Sequence, residues 1–254
     1  MKLKKSNFME WNNDIFVSSI KKINISIILI LVLDAIFYFL SGYLIIFWLQ
    51  RIQEKMAAFS LPADVLSLGY ERAQQLVSEA KAFYYLLIFS FIVLLIAIIF
   101  LASLLKGIIW AKTTNTKITL ALISKFLGLN LIWMGFWFLL VVLNSLFALP
   151  TSAPILMAIT IILGIYFTNT LYTIFMKKQI IKSIVNAIKL NIQKIHLFLL
   201  PYALISLIFF IIVRISNILK FRYSTIAFGL LVLTYAAVVR YYLSALILEI
   251  EKLK

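Results

Sequence analysis

Six long apolar runs constrain this chain more than any other feature. They span residues 26–49, 83–105, 127–149, 155–176, 197–218 and 225–247. A helix needs about 20 apolar residues to cross the hydrocarbon core of a bilayer. Strands of a transmembrane barrel would be about 10 residues long, with alternating polarity. The runs therefore predict an all-α, polytopic transmembrane helical bundle with six spans.

The composition supports one membrane domain over residues 1–254. Of the residues, 64% are hydrophobic, against roughly 45–50% in soluble proteins. No long polar stretch is present that would form a soluble catalytic domain. The chain has no Cys and a single His, His196, which argues against thiolate chemistry and His-rich metal sites. We expect no metal and no cofactor.

The distribution of positive charge predicts both the partner and the orientation. The net charge is +15, and the cations lie in short segments between the apolar runs, which favours anionic lipid headgroups over nucleic acid. Sixteen Lys and Arg residues fall on the side of the N-terminus and six on the opposite side. The positive-inside rule then predicts a cell-membrane protein with both termini in the cytoplasm. A signal peptide is the alternative for the first run, but that run starts late, is long and contains Asp34.

Basic segments precede the odd-numbered spans, at residues 1–24, 106–126 and 177–196. Each combines lysines with an apolar helical stripe, as in helices that lie in the headgroup plane. The stripe is clearest from Ile181 to Ile195, and weakest at Ile118, Leu122 and Phe126. The repeat predicts three helical hairpins with basic interfacial helices, although any cytoplasmic loop is expected to be basic. The candidate headgroup contacts are Lys21, Lys22, Lys125, Lys182, Lys189 and Lys194.

The segment 50–82 is an insert between the first two spans, on the extracytoplasmic side. Ser60 suits the cap of a new helix, with Pro62 and Asp64 in its first turn. From Tyr70 the helical pattern runs into the second span without a break. We expect a helical hairpin here; a mobile loop is the alternative.

The layout and one segment of the last span carry a family resemblance. That segment places Arg240 and an aromatic pair after small residues, from Tyr235 to Tyr242. With the basic lead-in segments, it resembles uncharacterised six-helix integral membrane families of archaea and bacteria. The resemblance implies an architecture and no chemistry.

Asp34 and Arg240 are the two charges that fall well inside spans at similar depth from the cytoplasmic side. A charge at the centre of a span costs about 2.5–3.5 kcal/mol on insertion scales and usually finds a partner. We expect an ion pair between the first and last spans. The alternatives are a protonated Asp34 or an Arg240 that extends to the interface.

Five of the polar residues within the third and fourth spans are candidates for a path lining, and they have two interpretations. They can line a path through the membrane, or they can form interhelical hydrogen bonds worth about 0.6 kcal/mol each. These residues are Asn130, Asn144, Thr168, Asn169 and Thr173.

The sequence favours a non-enzymatic function. It contains no Gly-rich phosphate loop, no nucleophile elbow and no acidic or His cluster that a lipid-handling enzyme needs. We expect a membrane scaffold or accessory subunit that contacts anionic lipids, together with a protein partner or a second copy of itself. The alternative is a transporter or channel subunit with a site near Asp34 and Arg240.

Overall fold

The protein is an all-α, multi-pass membrane protein. Its computed structural model describes residues 8–58, 70–218 and 223–253. Six of the helices are long and apolar enough to cross a membrane. In chain order, the described residues form α1 (Phe8–Lys21), α2 (Ser26–Ala58), α3 (Tyr70–Thr113), α4 (Leu120–Phe147), α5 (Ala153–Lys178), α6 (Ser183–Gln193), α7 (Ile195–Ile218) and α8 (Ser224–Lys252).

Helices α2 and α3 are longer than their apolar runs. At 1.5 Å per residue, the 44 residues of α3 extend about 66 Å, whereas the hydrocarbon core is about 30 Å thick. The uninterrupted helix from Tyr70 is confirmed, and residues 50–58 and 70–82 of the insert are helical. The predicted cap at Ser60, with Pro62 and Asp64, lies outside the described residues.

Two of the three lead-in segments contain a separate short helix, α1 and α6. The expectation of a third such helix before α4 is wrong. Residues 114–119 are not helical, and the apolar stripe at Leu122 and Phe126 belongs to α4 itself. Both side chains are fully buried, because protein neighbours, and not the headgroup layer, cover that stripe.

The chain divides into two compact units, residues 36–102 and residues 1–35 with 103–254. In the smaller unit, α2 and α3 contact each other through Trp48, whose indole Nε1 donates to Ser90 Oγ at 3.1 Å. The Trp48 ring also packs on Phe91, with centroids 5.5 Å apart. This division shows only which residues pack together. It does not test the expected single membrane domain, which stays a prediction.

The core of the larger unit lies at one end of its helices. Its buried side chains come from the first half of α4 and the last parts of α5 and α8, with Trp110 of α3 and Phe198 of α7. Phe126 is central: its ring packs on Tyr172 at 4.8 Å and on Phe175 at 5.6 Å between centroids. Towards the opposite ends, α4 and α5 present exposed residues such as Phe147 and Ile155. Lipid is the natural cover for such surfaces in a membrane protein.

We call the end that holds this core the lysine-rich end. There α2, α4 and α7 begin and α3, α5 and α8 end, and α1 and α6 lie beside those termini in sequence. Tyr242 of α8 anchors α1 by donating to Asn12 Oδ1 at 2.6 Å. Asn191 anchors α6 to α5, since its Oδ1 accepts from Thr170 at 2.7 Å and its carbonyl accepts from Tyr166 at 3.0 Å.

Truncation of Phe126 tests the position of the core. Phe126 is 0% exposed and Phe147, on the same helix, is 80% exposed. We expect Phe126→Ala to lose about 3–5 kcal/mol of stability, the usual cost of truncating a buried aromatic, and Phe147→Ala to lose little. Thermal unfolding of the purified protein in detergent measures both variants. Equal losses at the two positions would contradict this placement.

Candidate functional site

A buried carboxylate with two cationic partners is the most unusual group in the larger unit. Asp34 of α2 is 1% exposed. Its Oδ1 lies 2.5 Å from Lys106 Nζ of α3, and its Oδ2 lies 3.0 Å from Arg240 Nη1 of α8. We call these three residues the Asp34 cluster. The structure therefore places together the two charges singled out in the sequence and adds a third.

Helix geometry and an aromatic ring hold the cluster in place. Trp110 follows Lys106 by four residues on α3, so the two side chains lie on the same face. The guanidinium carbon of Arg240 lies 5.8 Å from the centroid of the Trp110 ring, within the range of a cation–π interaction. Trp110 in turn meets the edge of Tyr172 at 5.7 Å. The cluster thus continues into the packed core.

Sequence reasoning missed Lys106 because it assigned this residue to the cytoplasmic segment 106–126. The helix instead continues to Thr113, and Lys106 is largely buried, with 14% of its side chain exposed. A signal was present in the sequence: the apolar run resumes after Lys106 as Gly107, Ile108, Ile109 and Trp110. A lysine inside such a run lies in a span and needs a counter-charge.

Asn130, first of the five intraspan polar residues, joins three helices. Its Nδ2 donates to Ser103 Oγ of α3 at 2.9 Å, and its Oδ1 accepts from Tyr172 of α5 at 2.6 Å. Asn130 is fully buried. This residue therefore uses both its donor and its acceptor to connect α3, α4 and α5.

The other four residues are also engaged within the larger unit. Three of them bond to a neighbouring helix, and the hydroxyl of the fourth bonds to the backbone of its own helix. The bonds are Asn144 Nδ2 to Thr160 Oγ1 at 2.7 Å, Trp133 Nε1 to Thr168 Oγ1 at 2.8 Å, Asn169 Nδ2 to Tyr202 Oη at 3.4 Å, and Thr173 Oγ1 to the Asn169 carbonyl at 2.9 Å.

An ion-pair cluster joins α5 to α8 at the lysine-rich end. Glu251 of α8 is largely buried, and its carboxylate oxygens lie 2.6 Å from Lys178 Nζ and 3.3 Å from Lys177 Nζ. In the sequence these lysines bear only on the predicted orientation of the chain. Their pairing was missed because Glu251 lies more than 70 positions away in the sequence.

The candidate headgroup lysines differ in their surroundings. Lys21, Lys22, Lys125, Lys182 and Lys189 are exposed, and Lys194 is half-buried. Lys22 shares a cavity of about 500 Å³ with Lys177 and Lys252. We call this cavity the polar cleft. The other five candidates do not line it.

Two further cavities are mainly apolar. One, of about 550 Å³, lies between α1, α7 and α8 and includes Phe16 and Pro201. The other, of about 390 Å³, lies between α4 and α5 and includes Trp137 and Gly164. The Asp34 cluster lines none of these three cavities.

Comparison with known proteins returned no matching family model, no similar curated protein and no similar solved structure.

Neutralising Asp34 tests the Asp34 cluster. Asp34→Asn leaves two buried cations without a counter-charge, and breaking a buried pair in this way costs about 3–5 kcal/mol. We expect a matching loss of thermal stability in detergent. Glu54→Gln is the control, because its pair with Arg51 is exposed on both sides and is worth at most about 1 kcal/mol.

A triple variant separates charge from packing at the same site. Asp34→Leu with Lys106→Met and Arg240→Met removes all three charges while keeping similar volumes. We expect it to recover most of the stability that Asp34→Asn loses, since apolar replacement of a whole buried cluster is often neutral. An Asp34→Asn variant as stable as the wild type would refute the structural importance of the cluster.

Proposed function

We propose that this membrane protein is a non-enzymatic scaffold or accessory subunit that holds anionic lipids at its lysine-rich end, with both termini in the cytoplasm. The observation that carries the proposal is the surface of α6. Ser183, Ala187 and Leu190 face the protein, whereas Val185 and Ile192 are exposed. A short helix with an exposed apolar face and flanking lysines suits the headgroup plane of a bilayer.

Helix α1 supports the same placement. Asn12, Ile15 and Ser19 are buried, while Phe16 and Ile20 are exposed. The exposed apolar residues of α1 and α6 belong to the lysine-rich end, next to Lys21 and Lys182 in sequence. Anionic lipids attract such lysines by about 1 kcal/mol each near the membrane surface.

The engagement of the intraspan polar groups favours a scaffold over a pore. Each of the five candidate lining residues has a hydrogen-bond partner within the larger unit, and four of these bonds connect helices. Thr168 and Asn169 line the mainly apolar cavity between α4 and α5, and Thr173 lines the polar cleft, whereas Asn130 and Asn144 line neither. The five residues therefore do not face one shared path. A transporter is the second candidate, favoured by the buried Asp34 cluster.

Lipid retention tests the proposed function. We expect Lys182→Gln with Lys189→Gln to weaken binding of phosphatidylglycerol by more than tenfold, since the two charges contribute about 2 kcal/mol together. Mass spectrometry of the intact protein, released from mild detergent, counts the lipids that remain bound. Lys55→Gln with Lys81→Gln is the matched control on the opposite side of the predicted topology. Equal retention by the two double variants would refute the proposal.

Cysteine labelling tests the orientation, and the natural absence of Cys gives a clean background. We expect a membrane-impermeant maleimide to label Gln74→Cys but not Gln193→Cys in intact cells. Inside-out vesicles should give the reverse pattern, because these residues lie at opposite ends of the predicted spans. Labelling of Gln193→Cys in intact cells would overturn the cytoplasmic placement of α6.

Purification from the native membrane separates the accessory-subunit and transporter hypotheses. A stoichiometric protein partner that stays bound in mild detergent would support an accessory subunit. If the protein instead drives solute flux in liposomes, and Asp34→Asn abolishes that flux while the protein remains folded, the transporter hypothesis replaces the scaffold.

A further inference from the structure

We propose that the polar cleft binds a phosphate group, carried by an anionic lipid headgroup or by a small soluble phosphate. The proposal rests on the proposed function only in expecting the lysine-rich end to meet anionic headgroups. The cleft is a defined site that does not include Lys182 or Lys189, the exposed lysines at α6.

The polar cleft forms where four parts of the chain meet. Its walls come from Lys22 after α1, the turn between α3 and α4, the end of α5 and the end of α8. Each is a terminus of a spanning helix or adjoins one. Such termini lie at the level of the headgroups when the apolar runs span the hydrocarbon core. The cleft therefore opens at the depth where lipid phosphates are found.

The charges around the cleft favour an anion. Lys22, Lys177 and Lys252 line it, against a single carboxylate, that of Glu249. Lys252 Nζ lies 2.6 Å from Glu249 Oε1, and the nearby Glu251 is closer to Lys178, at 2.6 Å, than to Lys177, at 3.3 Å.

Lys22 supplies a positive charge in the cleft that no carboxylate of the described residues balances. Its side chain is exposed, and it pairs with no carboxylate among the described residues. A lysine ammonium is a compact point charge that suits a phosphate oxygen.

Two threonine hydroxyls also line the cleft. Thr114 Oγ1 donates to the Trp110 carbonyl at 2.8 Å, and a hydroxyl hydrogen can rotate toward a phosphate oxygen instead. Thr114 and Thr116 line the cleft, and their Oγ1 atoms lie 2.9 Å apart. Thr116 Oγ1 also reaches the Met176 carbonyl at 3.4 Å, which links the α3–α4 turn to the end of α5. A volume of about 500 Å³ lies within the usual range of small-molecule sites.

Three single variants test the cleft, and they are expected to change its affinity for lipid in different directions. Isothermal titration calorimetry of the full-length protein in detergent measures binding of dioctanoyl phosphatidylglycerol. We expect Lys22→Gln to weaken binding at least fivefold. Lys21→Gln, the adjacent exposed lysine outside the cleft, should weaken binding by a smaller factor than Lys22→Gln. Glu249→Gln should tighten binding, because it removes the negative charge and releases Lys252; a folding defect would not produce this gain.

The outcomes decide between the two phosphate sources and between the two proposals. If inorganic phosphate displaces the lipid from the wild type but not from Lys22→Gln, the site also accepts soluble phosphate. Binding of the lipid alone, with the same Lys22 dependence, supports a lipid headgroup. Equal binding by the Lys21 and Lys22 variants, or weaker binding by Glu249→Gln, overturns the cleft. If the cleft is overturned but Lys182→Gln with Lys189→Gln still loses lipid, the scaffold function stands. If neither the cleft variants nor this double variant changes lipid binding, both proposals are refuted.

Discussion

A bilayer core contains no water to solvate an unpaired polar group, and the larger unit is organised around that constraint. The Asp34 carboxylate is paired with two cations from two other helices, so three spans share one buried charge cluster. Asn130 meets the same constraint with hydrogen bonds to Ser103 and Tyr172. Each polar side chain thus fixes which helices are neighbours and at what depth they meet, a specificity that uniform apolar surfaces do not provide.

The sequence predicts the parts of this structure that depend on local pattern. The six spans follow from the length of the apolar runs, and the helix from Tyr70 follows from unbroken periodicity. Asp34 and Arg240 were found because a charge is rare inside a span, and equal depth suggested that the two meet. These inferences require only the apolar character of the bilayer core and the rise per residue of an α-helix.

The remaining features depend on neighbours that are distant in sequence. The apolar stripe of Leu122 and Phe126 is the same whether it faces lipid or protein; burial against Tyr172 of α5 decides the outcome. Lys106 was assigned to the wrong environment because cation counts depend on where each helix ends, and α3 continues to Thr113. The polar cleft combines four separate termini, so no single motif could reveal it. In each case tertiary packing, absent from periodicity, determines the environment of the side chain.

The concentration of the core at the lysine-rich end has a mechanical consequence. Helices that are joined firmly at one end and meet lipid along their other halves can change their tilt without breaking the buried contacts. A bilayer that becomes thicker or thinner imposes hydrophobic mismatch, which helices relieve by tilting at a modest cost per ångström. Such adjustment would be confined to the ends where Phe147 and Ile155 are exposed. The Asp34 cluster and the polar cleft would keep their geometry in membranes of different thickness.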